Sequence, residues 1–218
     1  AIQVILLSLG LADRINIMKK EKEEAQAELL ESRRIMLDSF ARFVPKQFLN
    51  FLGHESIVDV GLGDAVQKNF TVLFTDIRGF TTLSESMTAE ENFRFLNSYL
   101  RKMGPLIHSN HGFIDKFIGD AIMALFPESA ADALQASIDM RRALYPFNQS
   151  RIQQGFDPIT MGIGLHSGNL MLGTVGSEDR LDTTVIGDTV NLASRLESMT
   201  KTFKISILLS HSVRALLP

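Results

Sequence analysis

Residues 183–195 read TTVIGDTVNLASR, and this stretch predicts a strand that passes directly into a helix. The β-branched residues of its first half favour a strand over 182–186, and a single glycine then interrupts the pattern. We expect the helix to occupy residues 188–199, which places Asn191 and Arg195 one turn apart on a shared face. Two polar side chains so placed are typical of a solvated surface, so this pair alone does not predict a function.

The chain around this stretch, from residue 69 onward, alternates between strand and helix patterns. Further strands are expected over 70–75, 112–117, 121–126, 159–165, 170–175 and 205–209, and further helices over 88–105 and 130–149. The strands over 112–117 and 121–126 form a predicted hairpin. Gly168 is expected to separate the strand over 159–165 from the strand over 170–175. Interleaved helices and hairpins favour an α+β sandwich, with one sheet and helices mainly on one of its faces.

Two aspartates follow apolar strand patterns and are the first candidates for chemistry. Asp76 lies within residues 74–81, which read FTDIRGFT, and Asp120 lies at the tip of the predicted hairpin. If their strands are neighbours, the two carboxylates meet at one edge of the sheet, where they could hold two Mg²⁺ or Mn²⁺ ions about 4 Å apart. The N–H groups of residues 77–81 could cradle phosphates. Each aspartate also has a purely structural interpretation, because Asp76 could cap a turn and Asp120 could belong to an ordinary hairpin turn.

Composition excludes several other classes of protein. Hydrophobic residues make up 45% of the 218 residues and charged residues 22%, which predicts a packed core. The formal net charge is −3 and no basic stripe is visible, so nucleic acid is not an expected partner. The chain contains no cysteine, which excludes disulfides and thiolate metal sites. It also lacks the GxxxxGK loop of P-loop nucleotide hydrolases.

The first residues differ from the rest of the chain. Residues 1–12 read AIQVILLSLGLA, an uncharged apolar run that is shorter than the roughly 20 residues needed to span a bilayer. We interpret the run as the end of a longer transmembrane helix, although a buried helix of a soluble protein would look similar. Lys19, Lys20 and Lys22 follow it and suit the cytoplasmic side. The expected location is therefore the cytoplasmic face of an inner (plasma) membrane, with the membrane contacted through the N-terminal helix.

Three further segments complete the predicted organisation. Residues 13–43 form a helical linker whose apolar residues alternate by four and three, as in a weak parallel coiled coil, although an ordinary amphipathic helix would fit as well. Residues 44–68 form a transducing segment, and residues 69–218 form the main domain. A linker of this kind is typical of signal transduction.

Three motifs together resemble the class III nucleotidyl cyclases. They are FTDIRGFT at residues 74–81, FIDKFIGD at residues 113–120, and the opening stretch at residues 183–195. They occur in the order and with separations similar to those of the family, and the resemblance extends over about residues 43–217. It implies the ferredoxin-like cyclase sandwich, with one mainly antiparallel sheet, placed after a long N-terminal coiled-coil helix. It also implies a divalent-metal cofactor, with two Mg²⁺ or Mn²⁺ ions per site.

The resemblance also implies a role for each matching residue. Asp76 and Asp120 match the metal-binding aspartates, with the Ile77 carbonyl as a further ligand. Lys116 and Thr184 match the pair that reads the purine. The remaining matches are the ribose-orienting Asn191, the transition-state arginine Arg195, and the substrate-binding positions Val185, Gly79, Phe80 and Thr81. In the family the active form is a head-to-tail dimer that shares its sites, so a homodimer is the expected partner.

The base-reading pair can be tested against hydrogen-bond chemistry. Adenine presents an acceptor at N1 and donors at N6, whereas guanine presents a donor at N1 and an acceptor at O6. Lys116 can only donate, so it suits adenine N1 and opposes guanine N1–H. The predicted activity is therefore that of an adenylate cyclase, a lyase that makes cyclic AMP and pyrophosphate from ATP. The alternative is a weak or inactive dimerisation or nucleotide-sensing module of the same fold. This alternative is favoured by the end of the chain at Pro218. Members of the family continue into a further strand pair, which carries a lysine that contacts the triphosphate.

Overall fold

The computed structural model describes residues 2–40, 44–177 and 179–218, and within them a single sheet organises the fold. The strands are β1 (Ala65–Ile77), β2 (Phe113–Ile118), β3 (Ala121–Phe126), β4 (Met161–Ser177), β5 (Arg180–Ile186) and β6 (Ile207–Leu209). The α-helices are α1 (Ile2–Phe40), α2 (Lys46–Leu52), α3 (Phe80–Glu85), α4 (Ala89–Ser109), α5 (Ala130–Gln153), α6 (Asp188–Phe203) and α7 (His211–Leu216).

The sheet has the order β2-β3-β1-β4-β5, and every pair along this path is antiparallel. Strand β6 adds to β4 in parallel. The predicted α+β fold with one mainly antiparallel sheet is therefore confirmed. The long β1 and β4 pair along the whole of β1, from Ala65 opposite Gly173 to Ile77 opposite Met161. Strand β1 thus begins four residues before the start that we predict for the main domain.

Strand β4 differs from the prediction of two strands separated at Gly168. It is one continuous strand, and Gly168 pairs in register with Phe70 of β1. The glycine is required by packing, because a Cβ at this position would lie 2.8 Å from the Thr189 hydroxyl of α6. Gly164 has the same role, since a Cβ there would collide with the α6 backbone at Ala193 and Glu197. These glycines therefore mark the close approach of a helix and not a turn.

The two faces of the sheet carry separate hydrophobic clusters, because β1 side chains alternate between them. Leu73 and Ile77 pack with residues of α4 and α5, such as Tyr99 and Met140. On the opposite face, the cluster combines apolar β1 side chains with α2 and α6; its buried members include Val72, Phe74, Phe48 and Ala193. Helices therefore cover both faces, contrary to the expectation that they lie mainly on one. The glycines of β4 explain the difference, because they let α6 lie directly on the second face.

The N-terminal helix α1 runs from Ile2 to Phe40, so it includes most of the apolar run at residues 1–12 and most of the linker predicted over 13–43. Residues 41–43, where we predict its end, lie outside the described residues. Its described side chains are nearly all exposed. Within the described part of the chain, no helix combines the length and apolarity that crossing a bilayer requires. The coiled-coil pairing, the membrane contact and the cellular location stay predictions.

Candidate active site

The two predicted metal-binding aspartates meet at one edge of the sheet. Asp76 lies near the end of β1, and Asp120 lies in the turn between β2 and β3, next to Gly119 in the left-handed conformation (φ 64°). Because β1 and β3 are antiparallel neighbours, with Thr75 opposite Ile122, the turn stands beside the end of β1. The Ile77 N–H donates a 3.0 Å hydrogen bond to Asp120 Oδ2. The expected convergence of the two carboxylates is thus found in the fold.

The electrostatics of this pair favour a bound cation. Burial of the Asp120 carboxyl, together with the hydrogen bond and the negative charge of Asp76, raises the pKa of Asp120 to about 7. Two carboxylates held together in this way resist simultaneous ionisation unless a positive charge is supplied. Carboxylate and carbonyl oxygens are hard ligands of the kind that Mg²⁺ and Mn²⁺ prefer, so these residues fit such ions. Lys201 of α6 lies 3.8 Å from Asp76 Oδ2 and provides a positive charge beside the pair. Sequence reasoning missed Lys201, whose only signal is its place late on a predicted helix.

The raised pKa of Asp120 predicts a pH dependence of metal binding. Below pH 7 the carboxyl is protonated in the metal-free protein, so a proton competes with the cation. We expect the affinity for Mn²⁺, measured by calorimetry without nucleotide, to fall by about tenfold for each pH unit below 7 and to level off above it. Affinity that stays constant between pH 6 and pH 8 would contradict this electrostatic account of the pair.

The predicted base-reading residues lie on β2 and β5, and the lysine side chain of β2 reaches the backbone of β5. The Lys116 ammonium donates to the main-chain carbonyl of Thr183, at a distance of 3.4 Å between Nζ and O. Thr184 is the next residue along β5, and its side chain is half-buried. The Val185 side chain is 8% exposed and belongs to the core, so only its backbone can face a substrate. The Lys116 ammonium thus lies beside the residue that precedes Thr184, and the reading of the purine by this pair stays a prediction.

Asn191 and Arg195 lie one turn apart on α6, and both side chains are exposed. Successive residues of an α-helix are rotated by about 100°, so the Arg195 side chain points roughly 160° away from that of Glu197. Glu197 lies on the face of α6 that packs towards the end of β1. Lys201, one turn after Glu197, contacts Asp76. The face of α6 that borders Asp76 is therefore not the face that carries Arg195. In one chain, Arg195 therefore points away from the aspartates that are predicted to bind metal.

The segment predicted to cradle phosphates is a turn followed by the short helix α3. Gly79 is the N-cap of this helix and adopts the left-handed conformation (φ 66°). The N–H groups of Ile77 and Arg78 already bond within the chain, to Asp120 and to the Thr160 carbonyl. The first turn of α3 leaves the N–H groups of Gly79, Phe80 and Thr81 without a partner inside the helix, so the candidate cradle is shorter than the predicted 77–81.

A buried ion pair links this turn to α6 and was not found by sequence reasoning. Arg78 Nη1 donates a 3.0 Å hydrogen bond to Glu197 Oε1, and the two side chains are 19% and 9% exposed. Burial raises the pKa of Glu197, and the Arg78 guanidinium opposes the shift. Gly162 lies against the guanidinium, where a Cβ would collide with Nη2. The pair fixes the turn after Asp76 against the helix that carries Arg195.

Removal of one partner of this pair is expected to cause a large loss of stability. Glu197→Ala leaves the Arg78 charge buried without a counter-ion, so we expect the free energy of unfolding to fall by about 3–5 kcal/mol in urea titrations. Glu197→Gln keeps an acceptor oxygen and should lose clearly less. Glu90→Ala breaks the exposed pair with Arg94 and serves as the control, with little change expected. Equal losses for Glu197→Ala and Glu90→Ala would contradict the importance of the buried pair.

Comparison with known proteins shows the family of the chain. An adenylate cyclase of Anabaena cylindrica is 46% identical over 210 residues, which cover 93% of this chain and 42% of that protein. The chain thus spans less than half the length of this relative. The adenylyl cyclase CyaB from P. aeruginosa, whose crystal structure is known, is 38% identical in sequence and superposes with a TM-score of 0.64. The match covers 70% of this chain and 81% of the CyaB chain. The guanylyl cyclase Cya2 is also 38% identical, with a TM-score of 0.58, covering 62% of this chain and 71% of that one. The family described as "Adenylate and Guanylate cyclase catalytic domain" matches residues 64–218, and the chain belongs to this family, the class III nucleotidyl cyclases.

Proposed function

We propose that this domain is an adenylate cyclase that converts ATP into 3′,5′-cyclic AMP and pyrophosphate. Overall sequence identity does not distinguish adenine from guanine as the base of the substrate. An adenylyl cyclase and a guanylyl cyclase of known structure are each 38% identical to the chain. The observation that carries the choice is the position of the donor-only Lys116 ammonium beside the Thr183 carbonyl, next in the chain to Thr184. This donor suits N1 of adenine and opposes N1–H of guanine. A relative named adenylate cyclase, 46% identical, supports the same choice.

The reaction is an intramolecular displacement, so the chain mainly supplies orientation and electrostatics. Asp76, Asp120 and the Ile77 carbonyl would hold two Mg²⁺ or Mn²⁺ ions, which when bound lower the pKa of the ribose 3′-hydroxyl and offset phosphate charge. The bond from O3′ to Pα forms while the bond from Pα to pyrophosphate breaks, and the hydroxyl proton is released. Arg195 donates to the phosphate oxygens as they gain charge.

A complete site requires two chains in this proposal. Arg195 points away from the aspartates of its own chain, so we divide the proposed site into a metal half (Asp76 and Asp120) and a base half (Lys116, Thr184, Asn191 and Arg195). A head-to-tail homodimer would join the metal half of each chain to the other half of its partner, giving two equivalent sites by twofold symmetry. Asn191 and Arg195 are exposed in the single chain, which suits side chains that act on a substrate held across an interface.

The N-terminal segments suggest how the domain is used. We place it on the cytoplasmic side of the plasma membrane, joined through α1 to a membrane segment whose signal it transmits. The support is the apolar run at residues 1–12, the lysines that follow it, and the exposed, heptad-like surface of α1. Cross-linking of single cysteines introduced at Leu29 and Met36 would test the pairing of α1 helices.

The experiment that tests the proposed activity measures cyclic nucleotide formation from ATP and GTP, with Mg²⁺ and with Mn²⁺, over a range of protein concentrations. We expect cyclic AMP to be the preferred product, with specific activity rising as the protein dimerises. Preferential formation of cyclic GMP would overturn the base assignment. Measurable ATP binding without any product would instead support a nucleotide-sensing module.

A further inference from the structure

Strand β2 contains a bulge directly at the base-reading lysine. Ile114 pairs with Ala124 and Lys116 pairs with Met123, so Asp115 is an extra residue on the β2 side. Neighbours in a regular strand point to opposite faces of the sheet, whereas a bulge re-aims the side chains at its position. The result is a contact between consecutive residues, with Asp115 Oδ2 3.5 Å from Lys116 Nζ.

The environment of Asp115 is costly for a carboxylate. Its side chain is 1% exposed, and Oδ2 accepts no hydrogen bond from the described part of the chain. Burial raises the pKa of Asp115, while the nearby Lys116 ammonium opposes the shift. A buried polar atom without a hydrogen bond lowers stability, so its presence calls for a role other than packing. The reaction described above does not use Asp115.

The surroundings of the lysine suggest what that role is. The Lys116 ammonium has three N–H donors. One donates to the Thr183 carbonyl, and the ammonium also lies against the Asp115 carboxylate. Together these two oxygens restrict the rotation of a long side chain that is otherwise 38% exposed. The ammonium is thus held beside the β5 backbone at Thr183, the residue that precedes Thr184.

We propose that Asp115 is a positioning residue that orients the Lys116 ammonium towards the purine and thereby strengthens the preference for ATP over GTP. This inference rests on the proposed function, since it assigns a role at the same site. Asp115 does not touch the base in this arrangement. It acts through Lys116, by holding the donor in the direction in which adenine N1 accepts and guanine N1–H repels.

Asp115→Asn in the full-length protein is the first test. We expect the ratio of kcat/KM for ATP to kcat/KM for GTP to fall by roughly tenfold, mainly through a higher KM for ATP, because a misoriented donor loses its discrimination. The melting temperature should stay the same or rise, since the change removes a buried charge. Asp182→Asn is the matched control: it removes an exposed carboxylate of β5 that acts on Asp115 only through its charge. We expect it to keep the wild-type ratio.

A double variant separates positioning from a structural effect. In the Lys116→Met background, adding Asp115→Asn should not change the ATP/GTP ratio further, because the residue through which Asp115 acts is absent. A further change in that background would overturn the proposal, as would a ratio for Asp115→Asn within twofold of wild type. If Asp115→Asn does not fold, Asp115→Ser gives the same comparison. A wild-type protein that makes no cyclic AMP would instead contradict the proposed function.

Discussion

Asp120→Asn is expected to reduce the rate of cyclic AMP formation by on the order of 10³-fold, the upper range for losing one preorganised charged group. The substitution keeps the shape of the side chain and an oxygen that can accept from the Ile77 N–H. It removes one of the two carboxylate charges that we propose hold the metal ions. The measurement is the initial rate with saturating ATP and Mn²⁺ at pH 8, where the wild-type carboxyl is ionised.

The same substitution should make the metal-free protein more stable, and this opposite effect distinguishes a functional carboxylate from a structural one. The folded-state pKa of about 7 lies above the usual value of an aspartate, so the folded state binds more protons than the unfolded state between about pH 4 and pH 7. Stability therefore falls as pH rises through this window. At pH 8 in EDTA, Asp120→Asn should melt at a higher temperature than wild type.

Asp139→Asn is a suitable control for this comparison. Asp139 lies on α5 and bonds to Asn110 and Gln135, away from the paired aspartates. We expect this variant to keep both the wild-type rate and the wild-type dependence of melting temperature on pH. A lower melting temperature for Asp120→Asn at pH 8 would indicate that the Asp120 carboxylate stabilises the fold, contrary to its raised pKa.

The meeting of Asp76 and Asp120 was predictable because it depends on local patterns. An apolar strand that ends in a carboxylate, and a hairpin whose turn is Gly119-Asp120, need only one further condition, that β1 and β3 are neighbours. The approach of Lys116 to Thr183 of β5 is different. This contact joins two edge strands of the sheet, and its residues Lys116 and Thr183 are 67 positions apart in the sequence. Only the resemblance to a family indicated the contact.

The glycines of β4 show why other features were missed. A glycine within an apolar run has the same local signal whether it begins a turn or admits a helix, and Gly168 was interpreted as a turn. Only the position of α6 decides between the two, and that position is a tertiary property. The ion pair of Arg78 with Glu197 depends on the same helix placement, so it was also invisible in the sequence. The contact of Asp115 with Lys116 depends on a bulge, which the alternation of side chains does not reveal.

Arg195→Ala is expected to lower turnover by roughly 10²–10³-fold, because it removes the proposed preorganised donor to the phosphate oxygens that gain charge in the transition state. The side chain is exposed on α6 and lies outside both hydrophobic clusters, so the melting temperature should hardly change. The loss should appear in kcat more than in KM, since the interaction strengthens as the bond to pyrophosphate breaks. A near-normal kcat for Arg195→Ala would show that Arg195 does not act in the proposed site.

Mixing Arg195→Ala with Asp120→Asn then tests whether the site is shared between chains. In the proposed homodimer, each variant alone carries the same defect in both sites. If one chain supplies Asp120 and its partner supplies Arg195, a mixed dimer has one site with both defects and one site with none. Random exchange makes half of the dimers mixed, so activity should recover to about a quarter of wild type. If both residues served the same site from one chain, every site in the mixture would keep a defect and no activity would return. The opposite directions of Arg195 and Glu197 on α6 predict the recovery.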